Sequence, residues 1–577
     1  MRFSGARILI ESLIDEGVDT VFGIPGASAL NIYDELYRQR GRIRHVLVTH
    51  EQHAAHAADG YARASGRTGV CIATSGPGAT NLITGIAAAY MDSSPLVAIT
   101  GNVPLRLLGK DSFQEVDIAG ISMPVVKHNW IVKDVTELSE VIREAFIVAR
   151  IGRSGPVLID IPQDVCAAET EWKPALQAAW EDGSVLGARA RRLTDRAEAA
   201  TFTPADIAAA AAFIEKAERP FIYAGGGVNL SGAGAELCAL AKKCGAPVAF
   251  SLMGIGAVPA DFPLATGLIG MHGTIASNRA VQKADLVIAC GARFSNRVTG
   301  SSSLSNTNGI NSIDQFARNA KILHIDIDPA EINKNKRADC RVVGDLKKVL
   351  AALLRKLKTP RPNRWGGEIE KLKALDRRGA GRDGEGPRLR PAFIMRETAR
   401  AAGKDAMVIT DVGQHQMWAA RYYPVMKSRS FITSGGLGAM GFGLGAAIGA
   451  KLAQPERAAL LITGDGSFRM NSSELATAVS CGIPVIILVI NNGALGMVRQ
   501  WQRVLCEGRY SETTLPGLPD IPALAAAYGV AAFRARTPAE LRGVLESALA
   551  EHEQGRSAVI EAFVEDAEMC FPDTGGR

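Results

Sequence analysis

The feature that most constrains the fold is a repeated alternation of short apolar runs with helical stretches along nearly the whole chain. Strands that alternate with helices are typical of parallel sheets covered by helices on both faces. The alternation occurs in three parts of a 577-residue chain, which predicts an α/β fold with three domains. We place the domains at residues 1–185, 195–355 and 391–577. The charged, Gly- and Pro-rich residues 356–390 are interpreted as a surface linker.

The apolar runs that we predict as strands are distributed over all three domains. They are Val46–Val48, Val70–Thr74, Val97–Thr100 and Val157–Ile161 in the first domain, Phe221–Ala224, Val248–Ser251, Leu286–Ala289 and Ile322–Ile327 in the second, and Met407–Thr410, Leu460–Thr463, Val485–Ile490 and Ala558–Phe563 in the third. Open parallel sheets bind ligands at the carboxyl ends of their strands. Residues that directly follow these runs are therefore the candidates for a functional site.

Composition narrows the class of protein. The net charge of +6 comes from dispersed basic residues, and the denser clusters Arg189–Arg192 and Arg355–Arg364 lack interleaved aromatic residues. We therefore favour solvated linkers over a nucleic-acid site. The nine cysteines include no CxxC pair, which indicates reduced thiols and a cytoplasmic protein. No apolar run approaches the roughly 20 residues of a membrane span, and the amphipathic N-terminus is unlike a removable leader.

A Gly-Asp-Gly turn at Gly464–Gly466 follows one apolar strand, and two asparagines, Asn491 and Asn492, follow the next. In a right-handed βαβ unit the two strands are parallel, so Asp465 and Asn492 emerge together at the carboxyl edge. One carboxylate and one amide oxygen form an incomplete set of ligands, which suits Mg²⁺ because this ion usually adds substrate phosphates and water. The alternative is an ordinary βα turn and strand end. The combination of GDG, 24 intervening residues and NN favours the metal site.

A second candidate is Glu51, in the sequence THEQHAAHAADGYARASG, which comes shortly after the predicted strand Val46–Val48. A single Glu after a strand is usually a surface residue. This one is followed by HAADGYARASG and then by ATSGPGATN at Ala73–Asn81. A carboxyl group placed among apolar groups has a raised pKa and can exchange protons near neutrality.

The spacing of GDG and NN resembles the thiamine diphosphate-binding motif, and nearly the whole chain resembles the catalytic subunits of acetohydroxyacid synthases (acetolactate synthases). GKDSFQEVDIAGIS, TDVGQHQMWAA, SGGLGAMGFGLGAAIGA and LGMVRQWQ carry this second resemblance. It implies a pyrimidine-binding first domain, an FAD-binding Rossmann-like second domain, and a third domain that binds diphosphate and Mg²⁺. Thiamine diphosphate, Mg²⁺ and FAD are the cofactors it implies.

The resemblance also assigns roles to residues of the first and third domains. Asp465, Asn492 and the Ala494 carbonyl would hold the magnesium, and Glu51 would be the catalytic glutamate beside the aminopyrimidine ring. Phe113 and Gln114 would line the substrate pocket, Trp501 would favour 2-ketobutyrate, and Met440 would keep the cofactor bent. The cofactor-binding residues that it implies in the third domain are Gly413, Gln414, His415, Gly438, Met440, Gly464, Asp465, Gly466, Ser467, Asn492 and Met497.

In the second domain, GGGVNLSG, GMHG, GARFSNRVTG and HIDIDPAEINKN resemble flavin-binding sequences of the same family. By itself Gly225–Gly227 after a strand is a weak nucleotide signal, and a plain turn is the alternative. The implied flavin contacts are Arg153, Gly225, Gly226, Gly227, Met271, His272, Gly291, Arg293, Val298, Asp326 and Asp345. Arg297 matches the arginine that accepts the carboxylate of the second ketoacid, for which a guanidinium fork is well suited.

The activity implied is decarboxylation of pyruvate and ligation of its two-carbon unit to pyruvate or 2-ketobutyrate, in branched-chain amino-acid (valine and isoleucine) biosynthesis. In the family the site lies between subunits, which implies a homodimer or tetramer. The sequence leaves open which of these forms, which acceptor is preferred, and whether a small regulatory subunit binds. A flavin-dependent pyruvate oxidase and a related carboligase with another donor or acceptor are the alternatives. A non-catalytic subunit is disfavoured by Glu51, Asp465 and Asn492.

The chain departs from the family pattern at several positions. Gln163 stands where the family usually has Lys, and Ser295-Asn296 replaces Asp-Asp before the arginine. The Pro-Gly-Gly loop reads Pro-Gly-Ala, with Ala27 in the last position, and His53 replaces a Gly. We expect these departures to lie mostly near the substrate entrance and to affect the choice of acceptor more than thiamine dependence.

Overall fold

The computed structural model describes residues 2–172, 192, 195, 202–300, 316–358, 365–379, 386–515, 519–565 and 569–570. Its strands form three six-stranded sheets and one two-stranded ribbon. Neighbouring strands within each six-stranded sheet are parallel. This confirms the α/β fold with helices connecting parallel strands.

The first domain carries a sheet in the order β3-β2-β4-β5-β7-β6, with β1 and β8 paired beside it in an antiparallel ribbon. Val, Ile, Leu and Ala fill these central strands, as parallel sheets buried on both faces require. Its elements are β1 (Arg2–Ser4), α1 (Gly5–Asp15), β2 (Thr20–Gly23), α2 (Leu30–Arg38), β3 (Arg44–Leu47), α3 (Glu51–Ser65), β4 (Gly69–Ala73), α4 (Pro77–Asn81), α5 (Ile83–Asp92), β5 (Leu96–Asn102), α6 (Ile118–Ser122), β6 (Asn129–Ile131), α7 (Leu138–Arg150), β7 (Pro156–Pro162), α8 (Gln163–Ala167) and β8 (Glu169–Glu171).

The second domain has the strand order β11-β10-β9-β12-β13-β14. Its elements are α9 (Pro204–Lys216), β9 (Pro220–Ala224), α10 (Gly226–Ser231), α11 (Gly234–Cys244), β10 (Val248–Phe250), β11 (Ala265–Leu268), α12 (Ile275–Lys283), β12 (Leu286–Cys290), α13 (Asn296–Thr299), β13 (Lys321–Asp326), β14 (Cys340–Val343), α14 (Leu346–Lys356) and α15 (Glu368–Gly379). The order reverses between β9 and β12, and the carboxyl edge at such a point is where open parallel sheets bind ligands.

The third domain has the strand order β16-β15-β17-β18-β20-β19. Its elements are α16 (Pro391–Ala402), β15 (Met407–Thr410), α17 (Gln414–Tyr422), β16 (Phe431–Thr433), α18 (Gly443–Ala453), β17 (Ala459–Gly464), α19 (Asp465–Asn471), α20 (Leu475–Ser480), β18 (Ile486–Asn491), α21 (Gly496–Leu505), α22 (Ile521–Ala527), β19 (Ala531–Ala535), α23 (Pro538–Glu553) and β20 (Ala558–Phe563). Gly464–Gly466 is more than a turn, because a short helix begins directly at Asp465.

Each apolar run that we predict as a strand overlaps a strand of the structure, and Met407–Thr410 and Ala558–Phe563 match to the residue. The limits of the domains stay predictions, and the one between residues 185 and 195 lies outside the described residues. Part of the predicted linker, in contrast, is ordered helix. Trp365, Ile369 and Leu372 are buried against the second domain, and the Asp376 carboxylate accepts hydrogen bonds from the first amides of α12.

The first and third domains pack directly against each other through α3 and α18, and one hydrophobic core contains residues of both. Glycines allow this approach, because a Cβ at Gly449 would overlap the carbonyl oxygen of Ala57, and one at Gly60 would overlap that of Ala446. Hydrogen bonds from Thr49 to Glu474 add a polar contact between the two domains.

Candidate active site

A cleft of about 410 Å³, including its open mouth, lies at the carboxyl edge of the third sheet. The adjacent strands β15, β17 and β18 end there, and the loops and helix starts that follow them form its walls. The lining residues are Val412, Gly413, Gln414, His415, Trp418, Met440, Gly464, Asp465, Gly466, Ser467, Ile490, Asn492, Ala494, Leu495, Gly496, Met497 and Val498. Apart from Gly438, every residue of the predicted third-domain cofactor set contributes to this wall.

Asp465 is buried at the start of α19, and its Oδ2 atom has no hydrogen-bond partner. Burial raises the pKa of this carboxyl group to about 6, although nearby backbone N–H groups, among them that of Gly493, act in the opposite direction. An unpaired buried carboxylate oxygen is costly unless a ligand satisfies it. The donor chemistry here therefore fits a divalent cation that prefers oxygen.

Neighbouring residues of the same chain hold the Asn492 side chain in a fixed orientation. Its Nδ2 donates to Oε1 of Gln414 at 3.1 Å, and its Oδ1 accepts from the Ala494 amide at 3.2 Å. Gln414 in turn donates to Oε1 of Gln500 at 3.0 Å. A side chain at Gly496 would overlap Gln414 Oε1, so glycine is required where the chain passes this pair. Asn492 thus keeps an oxygen at the same edge as Asp465.

The imidazole of His415 occupies space that two glycines leave open. A Cβ at Gly413 would lie 2.8 Å from Cε1 of the ring, and one at Gly464 would lie 2.8 Å from its Nδ1. Burial lowers the pKa of His415 to about 3, so the ring is neutral, and its buried Nε2 has no partner. Nε2 of His415 and the first amides of α17 and α19 are polar groups that a phosphate bound in the cleft can contact.

Met440 reaches the cleft from a glycine-rich loop, and its Cε lies 3.9 Å from the position of a Cβ at Gly466. The loop depends on a residue that sequence reasoning missed. The fully buried Asp411 carboxylate accepts hydrogen bonds from the amides of Gly441 and Gly443, both at 2.9 Å. Asp411 lies within the quoted sequence TDVGQHQMWAA, but its carboxylate could be identified as a loop anchor only from the fold.

Glu51 is half-buried at the first position of α3, and its Oε2 accepts a hydrogen bond from Nδ2 of Asn81 at 2.9 Å. Asn81 closes the sequence ATSGPGATN, so the fold brings this segment to Glu51. A Cβ at Gly78 would lie 3.3 Å from Glu51 Oε1. The residues that line the cleft, however, all belong to the third domain. Within one chain, Glu51 does not contribute to the wall around Asp465.

Phe113 and Gln114 lie beside the Glu51 region. Phe113 is 88% exposed, and Gln114 adopts a positive φ of 58°. A Cβ at Gly76 would lie 2.7 Å from the Gln114 carbonyl oxygen, so the two loops are in contact. An exposed phenylalanine on a strained loop is available for a ligand or another chain.

The predicted flavin residues gather at the carboxyl edge of the second sheet. Gly225–Gly227 follow β9, Met271 and His272 follow β11, and Asp326 ends β13. Gly291, Arg293 and Val298 follow β12. The backbone of Gly227 approaches Gly291 so closely that a Cβ would lie 2.7 Å from its Cα.

Three predicted residues of this region have partners within the protein. Arg153 donates to Glu331 at 2.9 Å and so joins the first domain to the second. Asp345 caps α14 by accepting from the Lys348 amide at 2.9 Å. Arg297 is exposed on α13, and its carbonyl oxygen accepts from the Met271 amide at 2.8 Å. Its Nη1 lies 3.5 Å from Sδ of Met271 and donates to it.

The departures from the family pattern do not all lie at an entrance. His53 is buried on α3 against α18, and burial lowers its pKa to about 4. It belongs to the packing of the domains. Gln163, Ser295 and Ala27 lie at or near the surface. Trp501 is half-buried on α21 and lies one turn after the lining residues Met497 and Val498.

All nine cysteines lie among the described residues and carry free thiols. Over the described ranges, no cluster of three or more His, Cys, Asp or Glu side chains could hold a metal ion. Among the helices that the structure describes, none is long and apolar enough to cross a membrane.

Comparison with known families adds independent findings. Residues 3–121 match the N-terminal TPP-binding domain of thiamine pyrophosphate enzymes, residues 207–353 match the central domain, and residues 411–562 match the C-terminal TPP-binding domain. The chain is 46% identical to a probable acetolactate synthase large subunit of Methanocaldococcus jannaschii, over 99% of this chain and 94% of the relative. It is 44% identical to acetolactate synthase of Arthrospira platensis and 42% identical to acetolactate synthase isozyme 3 large subunit of Escherichia coli, each over 99% of this chain and 96% of the relative.

Proposed function

The chain belongs to the thiamine pyrophosphate enzymes and, within them, to the acetolactate synthase large subunits, and from this premise we propose how its cleft works. It is a thiamine diphosphate-dependent acetolactate synthase that condenses two molecules of pyruvate with loss of CO₂. The observation that carries the assignment of the site is the buried, unpaired Oδ2 of Asp465 beside Asn492, in a third-domain cleft that also contains His415 and Met440.

We assign Mg²⁺ to Asp465, Asn492 and the Ala494 carbonyl, with the cofactor's diphosphate completing its ligands. When bound, thiamine diphosphate supplies a nucleophilic carbon and accepts electrons as CO₂ leaves. Gln414 keeps the Asn492 amide in place, and the neutral His415 offers its unpaired nitrogen to the diphosphate. Met440 excludes water from the apolar side of the cleft and limits how the bound cofactor can lie.

Glu51 is assigned to proton exchange with a ring nitrogen of the aminopyrimidine. Because the third domain alone lines the cleft, we assign the Glu51 of a second subunit to each cleft, in a homodimer or a tetramer. This arrangement brings a carboxyl group into a site that otherwise contains no residue of the first domain.

The finer substrate assignments concern exposed residues. Arg297 binds the carboxylate of the acceptor ketoacid, because its guanidinium is exposed and a planar fork matches that anion. Phe113, Gln114 and Trp501 select between pyruvate and 2-ketobutyrate by apolar contact. FAD is assigned to the carboxyl edge of the second sheet. A small regulatory subunit is compatible with the designation of the relatives as large subunits.

The direct test is formation of acetolactate from pyruvate by the purified protein with thiamine diphosphate, Mg²⁺ and FAD, and with each of the three left out in turn. We expect product only when thiamine diphosphate and Mg²⁺ are both present, and a flavin absorption spectrum in protein purified with FAD. Competition between pyruvate and 2-ketobutyrate identifies the preferred acceptor. Pyruvate-dependent reduction of a dye without acetolactate would instead identify an oxidase.

A further inference from the structure

The loop of residues 434–442, here called the Met440 loop, connects β16 to α18 and carries Met440 into the cleft. It contains four glycines, two of them with positive φ, Gly438 at 73° and Gly441 at 89°. Its central residues 436–438 are exposed. A glycine-rich exposed loop has high conformational entropy, so contacts at its ends must fix its shape.

The first end is held by a residue of the other domain. Asp92, the last residue of α5 in the first domain, accepts hydrogen bonds from two consecutive amides of the loop. Gly435 donates to its Oδ2 at 2.9 Å, and Gly436 donates to its Oδ1 at 2.7 Å. Both carboxylate oxygens are therefore used, and Asp92 is only 6% exposed.

Arg63 of α3 provides the opposite charge that a buried carboxylate requires. Its Nη2 donates to Asp92 at 3.0 Å, and its Nε donates to Asp59 at 2.7 Å. Its Nη1 donates to the carbonyl oxygen of Thr433 at 2.6 Å, the last residue of β16 before the loop begins. Arg63 and Asp92 thus hold the end of the strand and the first two loop amides together.

The second end of the loop is held within the third domain by Asp411. Two buried carboxylates therefore bracket the Met440 loop, and only one of them comes from the domain that carries Glu51. We propose that Asp92, with its counter-ion Arg63, is a positioning residue that sets the shape of the Met440 loop and, through it, the fit of the cofactor. The part of this inference that concerns the cofactor rests on the proposed function.

Two variants test the contact from opposite sides. In Asp92→Asn, one carboxylate oxygen becomes an NH₂ group, so at least one glycine amide loses its acceptor and Arg63 loses its counter-charge, while the volume is kept. In Gly436→Ala, the carboxylate is unchanged, but the new Cβ would lie 2.9 Å from Asp92 Oδ1 and 2.8 Å from Met91 Cβ. The loop must then move away. Because Gly436 is exposed and has no positive φ, we expect Gly436→Ala to fold. It therefore tests the inference even if Asp92→Asn does not fold.

Asp160→Asn is the matched control. Asp160 is also a buried carboxylate of the first domain, but it accepts from Thr100 and Asn102 of its own sheet, both at 2.6 Å. If the loss of any buried carboxylate destabilises the protein, this variant is destabilised as well. Its Met440 loop, however, keeps both glycine hydrogen bonds to Asp92.

We expect hydrogen–deuterium exchange of residues 434–442 in the cofactor-free protein to become about tenfold faster in both test variants and to stay unchanged in the control, because a lost buried hydrogen bond changes an equilibrium by about that factor. The Kd for thiamine diphosphate should rise about tenfold. The kcat should fall while KM for pyruvate changes less than twofold, and near-ultraviolet circular dichroism of the bound cofactor should differ from wild type.

Wild-type exchange and cofactor affinity in both test variants would overturn the inference, and so would equal losses in the Asp160→Asn control. The exchange measurement needs no substrate or cofactor. A wild-type protein without acetolactate synthase activity would refute the proposed function, whereas an active wild type with an unchanged loop in both variants would refute only the role of Asp92.

Discussion

At the scale of single residues, the candidate site depends on Asp465, because one oxygen of its buried carboxylate has no partner in the protein. We predict that Asp465→Asn keeps the fold and lowers Mg²⁺ affinity, measured by calorimetry with thiamine diphosphate present, by at least about tenfold. The substitution removes the only carboxylate from the ligand set, and an amide nitrogen cannot coordinate the ion.

Asp160→Asn is a suitable comparison for Asp465→Asn, because burial raises the pKa of Asp160 to about 6 as well, and it lies in the first sheet. Equal Mg²⁺ affinity in Asp465→Asn and wild type would remove Asp465 from the metal site.

Functional residues that directly follow a strand could be predicted from the sequence. Asp465 and Asn492 follow runs of apolar residues, and the parallel sheet necessarily brings their ends together. Asp411 and Gln500 could not be predicted in this way, because each acts on residues far away in the chain. Asp411 holds Gly441 and Gly443, and Gln500 holds Gln414. Only the fold makes such pairs neighbours.

At the scale of elements, the contact between α3 and α18 depends on glycines that bring the two helix backbones close together. We predict that Gly449→Ala lowers the free energy of unfolding by about 1–3 kcal/mol, because its Cβ would overlap the Ala57 carbonyl oxygen and the helices would have to separate. The greater helix propensity of alanine offsets only about 1 kcal/mol. A fall in thermal unfolding temperature checks this prediction.

Gly543→Ala is the control for helix propensity. Gly543 lies inside α23, where an added Cβ would meet no atom within 4 Å. We expect this variant to unfold at the wild-type temperature or slightly above it. If Gly449→Ala unfolded at the same temperature as Gly543→Ala, the close packing of α3 on α18 would not contribute to stability.

The strands could be predicted better than their connections. Apolar runs of three to six residues specify buried parallel strands, and their positions agree with the structure. The start of α19 at Asp465 was missed, because a Gly-Asp-Gly sequence has low helix propensity and is normally a turn. The helix α15 was missed inside a charged linker, because its few buried apolar residues, among them Ile369 and Leu372, are widely spaced among charged ones.

At the scale of the whole molecule, the sequence indicates three domains but not how they pack. The common core of the first and third domains depends on the complementary shapes of α3 and α18, which no local pattern encodes. The position of Glu51 is a consequence of that packing. It stands at the first position of α3, whereas the cleft around Asp465 is lined by the third domain alone.

We expect Glu51→Gln and Asp465→Asn each to lose most acetolactate formation, and we predict that the two variants complement each other when their subunits are mixed. If each site combines Glu51 of one subunit with Asp465 of another, a hybrid dimer contains one site with both residues intact and one site with neither. Random reassociation makes half of the dimers hybrid, so acetolactate formation should return to about a quarter of the wild-type rate. Each variant reassociated with itself serves as the control and should stay inactive. Activity of the mixture no higher than that of either control would mean that Glu51 and Asp465 act within the same chain, and the assignment of the site to two subunits would be wrong.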